Sequence, residues 1–141
     1  MRPFTRALAL CHILRMGTLL AIAAGGALGS TVRYLLSAQI TRLVGPGFPW
    51  GILIVNILGC FTMGVIAELG ALRWNMSGEM RAFLTTGILG GFTTFSAFAL
   101  DTALLTQRDE MVSAAIYVAA SVGGSLTALF LGLAVVRAVM S

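Results

Sequence analysis

The residues of this sequence that could do chemistry are neutral, and they sit inside long apolar stretches. Asn56 lies six positions after Trp50, so a helix starting there carries its amide roughly 9 Å inward, where it must bond to protein or face water. An interhelical bond that merely joins two helices is the plain alternative. Tyr117, Ser121 and Ser125 recur every fourth residue. Each step turns only about 40° around a helix, so they form one polar stripe, although small residues so spaced also serve packing. Phe95 and Phe98 share a helix face directly after Thr93 and Thr94 and around Ser96. Phenylalanines in a membrane helix commonly face lipid. Ring edges, however, carry the positive end of the aromatic quadrupole, and beside an amide and several hydroxyls they can line a path for an anion. A small, strongly hydrated anion needs many weak donors to replace its water, because a buried cation would hold it too tightly to release it.

Other chemistries lack their residues. No acid, base or nucleophile constellation occupies the apolar stretches, since acidic residues occur only near their ends, at Glu68 and Asp101, or in loops. Catalysis is therefore not expected. Cys11 and Cys60 form no paired motif and His12 has no partner at metal-ligand spacing, so free thiols are expected, with neither a disulfide framework nor a zinc site.

The elements that must position these residues follow from composition. The 141 residues are 58% hydrophobic and 10% charged, with a mean hydropathy of +0.97. Soluble domains carry about 25% charged residues, so the membrane is the expected solvent. Charge-free intervals at 16–32, 43–67, 82–100 and 111–136 cover well over half the chain. About 20 apolar residues cross a bilayer core, which leaves room for four helices and for no soluble domain. The expected fold is an all-α membrane protein, with an interfacial tail or extension over 1–15 and one four-helix domain over 16–141. Its spans are expected at about 16–40, 50–70, 81–105 and 111–137. Gly25 and Gly29 offer the first span a flat contact face, and 45–49, Gly-Pro-Gly-Phe-Pro, is a chain breaker. The third span is expected to break near its middle, where Gly90 and Gly91 precede Phe92, Thr93 and Thr94.

All nine basic residues are arginines scattered over termini, loops and helix ends, which points to topology and lipid headgroups and away from nucleic acid. Four spans put both termini on one side. That side holds Arg2, Arg6, Arg15, Arg73, Arg81 and Arg137, against Arg33, Arg42 and Arg108 opposite. Without residues 1–15 the two sides tie, so the positive-inside rule gives almost no orientation and insertion both ways is open.

Three stretches resemble the Fluc (CrcB) fluoride channels: 25–34, Gly-Gly-Ala-Leu-Gly-Ser-Thr-Val-Arg-Tyr; Pro49-Trp50-Gly51 through Val55-Asn56-Ile57-Leu58-Gly59; and above all 85–98, Thr-Thr-Gly-Ile-Leu-Gly-Gly-Phe-Thr-Thr-Phe-Ser-Ala-Phe. The resemblance runs from about Gly17 to Arg137. It implies a dual-topology, antiparallel homodimer in the bacterial inner membrane, passively exporting toxic fluoride through two pores built from both chains. By that likeness Asn56 is a pore donor, Phe95 and Phe98 coordinate fluoride, and Thr94, Ser96, Tyr117, Ser121 and Ser125 contribute polar wall. The backbone carbonyls of Gly90 and Thr93 would hold a structural Na+ at the dimer centre. That position suits an antiparallel pair, whose two-fold axis lies in the membrane plane and meets the third span near its midpoint. The partners so implied are fluoride, a second copy and membrane lipid.

The chain departs from the family pattern at Ala97, Ala99, Asp101 and Leu129, along the outer polar track. The chief rival is a small four-helix, proton-coupled multidrug exporter, but such exporters need an embedded glutamate in span one, which has no acidic residue here. A non-transporting assembly subunit would explain the glycines but not the hydroxyls and phenylalanines clustered in span three.

Overall fold

The computed structural model describes residues 2–72 and 75–140, with side chains from residue 16 onward. The side chains of 1–15, on which the expected interfacial placement of that segment depends, lie outside what is described. Every described element is helical: α1 (Arg2–Val44), α2 (Trp50–Leu72), a short α3 (Gly78–Arg81), a wider π-helical stretch (Ala82–Leu89), a short α4 (Gly90–Phe92), α5 (Phe95–Gln107) and α6 (Met111–Met140). Four segments are long and apolar enough to cross a membrane: Met16–Val44, Trp50–Leu72, Gly78–Gln107 and Met111–Met140. The shortest has 23 residues, about 35 Å of helix rise against a hydrocarbon core of about 30 Å.

The connections carry local stop signals. Gly45 takes φ +102°, in the left-handed region that glycine enters freely, and its N–H caps the Thr41 carbonyl at 2.9 Å. Pro46 and Pro49 then keep the helix from resuming before Trp50. Ser77 starts the third span by accepting the Met80 N–H on its hydroxyl. Between α5 and α6, Asp109 turns at φ 59° and the Glu110 N–H closes onto the Leu105 carbonyl at 3.0 Å.

Small residues set the packing. Lipid is as apolar as leucine, so helices in a bilayer associate by close contact rather than by escape from water. A methyl group on Gly25 would stand 2.6 Å from the Phe83 carbonyl and 2.9 Å from the Gly87 Cα, and Gly29 meets the Ile88 carbonyl still more closely. α1 thus lies backbone to backbone on the third span. α2 and α6 make the most extensive helix pair, closed by Gly64 against Leu129 and Gly132. Nearer the 45–49 loop, Leu53, Phe98, Leu105, Ala114 and Tyr117 form a side-chain core, flanked by Phe48, Ile52, Ile57 and Ala120.

Candidate functional site

The site is built where the third span loses its helical backbone. Thr93 (φ −82°, ψ 156°) and Thr94 (φ −154°, ψ 120°) are both extended between α4 and α5. Upstream the helix is already loosened: the Gly90 N–H reaches five residues back to the Thr85 carbonyl, the wide spacing of a π-helix, a form that recurs at functional sites. Two β-branched residues after two glycines make the extended conformation inexpensive. Thr93 ends α4 by sending both its N–H and its hydroxyl to the Leu89 carbonyl, each at 2.9 Å. Thr94 starts α5 by accepting the Ala97 N–H on its hydroxyl at 3.2 Å.

An interruption inside a membrane span must satisfy the backbone groups it frees. Asn56 of α2 does this on one side: its Nδ2 donates to the Thr94 carbonyl at 3.1 Å, and its Oδ1 accepts the Thr94 N–H at 2.8 Å. Arg33 of α1 does it on the other, with Nη1 donating to the Thr93 carbonyl at 3.4 Å. A carboxamide has two N–H groups, so the Asn56 clasp leaves one of them for another acceptor.

Beside the interruption lies a cavity of about 490 Å³. Of the residues singled out in the sequence, Asn56, Gly90, Thr93, Thr94, Phe95, Phe98, Ser121 and Ser125 line it, together with Cys60, and no lining side chain is charged. The Phe95 and Phe98 rings stand 5.3 Å apart and tilted by 48°. Phe98 is buried, whereas Phe95 is 78% exposed on an outer face. Ser121 is only 6% exposed, and its Oγ has no partner in hydrogen-bond geometry.

Tyr117 and Ser96 are not in the cavity wall. Tyr117 is fully buried behind Phe98, with ring centroids 5.4 Å apart, and its hydroxyl donates to Oδ2 of Asp101 at 3.2 Å. Ser96 is exposed and its hydroxyl lies 3.2 Å from that of Thr94. A second cavity, of about 470 Å³, opens at the 45–49 loop and is lined by Ser37, Thr41, Phe48, Asp101 and Arg108 among others. Tyr117 stands between the two cavities, touching Phe98 on one side and Phe48 edge-on at 5.5 Å on the other.

Sequence reasoning left four contacts unassigned: Arg33 on Thr93, Asp101 on Tyr117, Phe48 in the aromatic row, and a two-pronged ion pair of Arg137 with Glu68 at 2.7 and 3.0 Å. The available signal was that charged residues within a span need a partner.

No group of three His, Cys, Asp or Glu side chains among the described residues could hold a metal ion. Backbone carbonyls are the other source of hard ligands. In an unbroken helix the Thr94 N–H would go to the Gly90 carbonyl, but here Asn56 takes it. The Thr93 carbonyl keeps a second lone pair beyond its long bond from Arg33. This donor chemistry fits a small hard cation at Gly90 and Thr93.

A family model described as CrcB-like protein, Camphor Resistance (CrcB), matches residues 20–133. A Rhizobium etli protein is 54% identical over 121 residues, covering 86% of this chain and 97% of its own length. A protein of Rhizobium leguminosarum bv. trifolii is 56% identical over 119 residues, covering 84% and 95%, and one of Rhodospirillum centenum is 51% identical over 122 residues, covering 86% and 97%. All three are named fluoride-specific ion channel FluC. Matched across all four apolar spans, the chain belongs to the CrcB-like protein family.

Proposed function

We propose that this chain is a fluoride-selective ion channel, and not an enzyme, that lets cytoplasmic fluoride leave by passive electrodiffusion and so lowers its toxicity. The observation that carries this reading is the uncharged cavity at the Thr93–Thr94 interruption, with a buried hydroxyl lacking a partner and two phenylalanine rings in its wall. The Ser121 hydroxyl, the spare Asn56 N–H and the ring edges of Phe95 and Phe98 give an anion several weak donors and no cation to trap it. Thr94, Ser96, Ser125 and Tyr117 extend the polar surroundings. The names of the relatives support the same ion. A proton-coupled exporter would need an acidic residue in Met16–Val44, and there is none.

The functional unit in this reading is an antiparallel homodimer in a bacterial inner membrane, with lipid around it and chains inserted both ways. Supporting this, Phe95, Ser96 and Gly90 lie exposed on one chain, which leaves the site open on the side a second copy would cover. The near tie in flanking arginines supports dual insertion. The interruption acts as a functional break of the third span. The Gly90 and Thr93 carbonyls of each copy would hold a structural Na+, which supplies fixed positive potential beside the anion pathways.

Liposomes containing only the purified protein test the reading. Fluoride is expected to leave down its gradient while chloride stays, and efflux that requires a proton gradient and an organic cation would favour the exporter. Sodium-free buffer is expected to abolish flux reversibly; full activity there removes the ion from the proposal. Two copies biased to opposite orientations by added lysines are expected to work only when made together.

A further inference from the structure

We propose that Arg33, which is not in the cavity wall, strengthens the spare Asn56 N–H as an anion donor by polarising the two amide groups that stand in series between them. What this does for fluoride rests on the channel reading; the polarised amide itself does not.

Arg33 sits deep in Met16–Val44, where a charged side chain is costly and needs a reason. Gly29, one turn earlier, holds α1 against the third span: a methyl group there would stand 2.9 Å from the Phe92 nitrogen. That contact brings Arg33 beside the interruption, where its Nη1 reaches the Thr93 carbonyl at 3.4 Å. Among the described residues no carboxylate pairs with it, the one ion pair being that of Arg137 with Glu68. A guanidinium has five N–H groups, far more than one freed carbonyl requires, so capping that carbonyl does not account for a full charge here.

The carbonyl that Arg33 meets belongs to the peptide group joining Thr93 to Thr94. No peptide bond among the described residues is cis, so the Thr94 N–H points the opposite way from that carbonyl, and it donates to Asn56 Oδ1 at 2.8 Å. Because a backbone N–H can only donate, the orientation of the Asn56 amide is fixed. Its Nδ2 returns one hydrogen to the Thr94 carbonyl at 3.1 Å. Closing both bonds on a single residue uses the hydrogen on the side of Oδ1, and the other lies opposite the Cγ=Oδ1 bond, as the N–H of a peptide does. Charge, peptide and carboxamide thus run head to tail, each dipole aligned with the last, and such a chain strengthens its final donor. A contact of 3.4 Å is long for a hydrogen bond, but Coulomb attraction falls only with the first power of distance, so the guanidinium still polarises the peptide. Asn56 lines the cavity and Arg33 does not. An anion there meets a sharpened N–H and never the cation, which gives pull without a trap.

The test compares full-length wild type, Arg33→Lys and Arg33→Gln in liposomes, in sodium-containing buffer throughout, reading fluoride efflux and the Asn56 side-chain amide by NMR. The chain has two asparagines, Asn56 and Asn75, so 15N-labelled asparagine gives two sets of amide signals, which Asn75→Ser assigns. Arg33→Gln keeps N–H donors without the charge. It is expected to move the Asn56 amide hydrogens upfield and to slow efflux about tenfold, the factor that corresponds to about 1.4 kcal/mol of lost donor strength. Arg33→Lys, which keeps the charge, is expected to hold both near wild type. The chain has no lysine of its own, so one 15N signal in Arg33→Lys reports the charge of the new side chain, and an ammonium, unlike a guanidinium, can be deprotonated. Raising the pH until that signal reads as neutral amine is expected to shift Asn56 upfield and slow efflux in Arg33→Lys and not in wild type, which switches the charge off inside one folded protein. Asn56 signals unmoved by loss of the charge, in either variant, overturn the polarised amide. Signals that shift with efflux unchanged overturn its effect on the anion. A wild type that passes no fluoride refutes the channel reading, while an upfield shift on loss of the charge still supports the polarised amide.

Discussion

At Gly64, α2 lies so close to α6 that an added methyl group would strike the Leu129 carbonyl and stand 3.2 Å from the Gly132 Cα. Two turns earlier, at Asn56, the same helix meets the third span through a pair of hydrogen bonds and leaves an open cavity beside them. The first contact is made of backbone surfaces and tolerates nothing between them. The second is made of polar groups spaced so that something small can enter. In a bilayer close packing supplies most of the adhesion between helices, so the glycine seam acts as the frame that lets the polar region stay loosely filled.

The largest effect expected from breaking this contrast is at the seam. Gly132→Leu drives a side chain into the Phe61 carbonyl and the Val65 N–H. Because rigid backbone is the obstacle, the cost should exceed the about 1–3 kcal/mol typical of overpacking. Loss of folded, monodisperse protein on size exclusion is the expected outcome, and a well-folded variant would show that the seam is not the frame. Next comes Phe98→Ile, a swap of similar bulk inside the core. It should leave the fold intact, at a cost below the about 3–5 kcal/mol of a full truncation to alanine, and abolish most fluoride efflux, since the ring edge is gone. Unchanged efflux would return Phe98 to packing.

Asn56→Ala sharpens the comparison from the polar side. It strands the Thr94 N–H and carbonyl, at about 1–3 kcal/mol for each group left buried without water. Melting temperature should fall further than in Phe98→Ile, whereas efflux should fall less; a drop in stability with efflux intact would make Asn56 helix glue only. The smallest effect is expected at the far end of the seam. Glu68→Gln removes the charge that pairs with Arg137 but keeps a carbonyl oxygen for the guanidinium to hold; the Glu68 side chain is 9% exposed and the arginine 66%, so water still reaches the arginine side of the pair, and the pair lies far from the cavity. A slight loss of thermal stability with unchanged fluoride-to-chloride selectivity is the expected result, and a change in selectivity would extend the functional region to the chain-terminus side.

The four apolar spans were legible because charge is forbidden over most of a membrane crossing, so charged residues mark the edges of Trp50–Leu72 and Met111–Met140 in the bare sequence. Gly25 and Gly29 were legible as a contact face for the same kind of reason, a spacing that survives in one helix. The pairings of the site were not. Arg33 reaches a carbonyl 60 residues away and Arg137 a carboxylate 69 residues away, and nothing local in either helix names the partner. Phe48 reads as a loop residue until the turn at Gly45 folds it back onto Tyr117. Tyr117 itself lies on the stripe the spacing predicted, yet its burial behind Phe98 depends on how α5 and α6 rotate about their axes, which periodicity alone does not set.

The Asn56 clasp has a consequence for which residues this position can accept. Its carboxamide carries the C=O and N–H of a peptide unit and pairs both with the main chain of one residue, as neighbouring strands of a sheet do. The asparagine is in effect a one-residue strand edge standing on the side of a helix. Serine is too short for that mimicry, glutamine one methylene too long, and aspartate offers acceptors without a donor. Spontaneous deamidation of this single side chain would therefore set a carboxylate oxygen against the Thr94 carbonyl, where an N–H now bridges 3.1 Å, and prise the two spans apart from within.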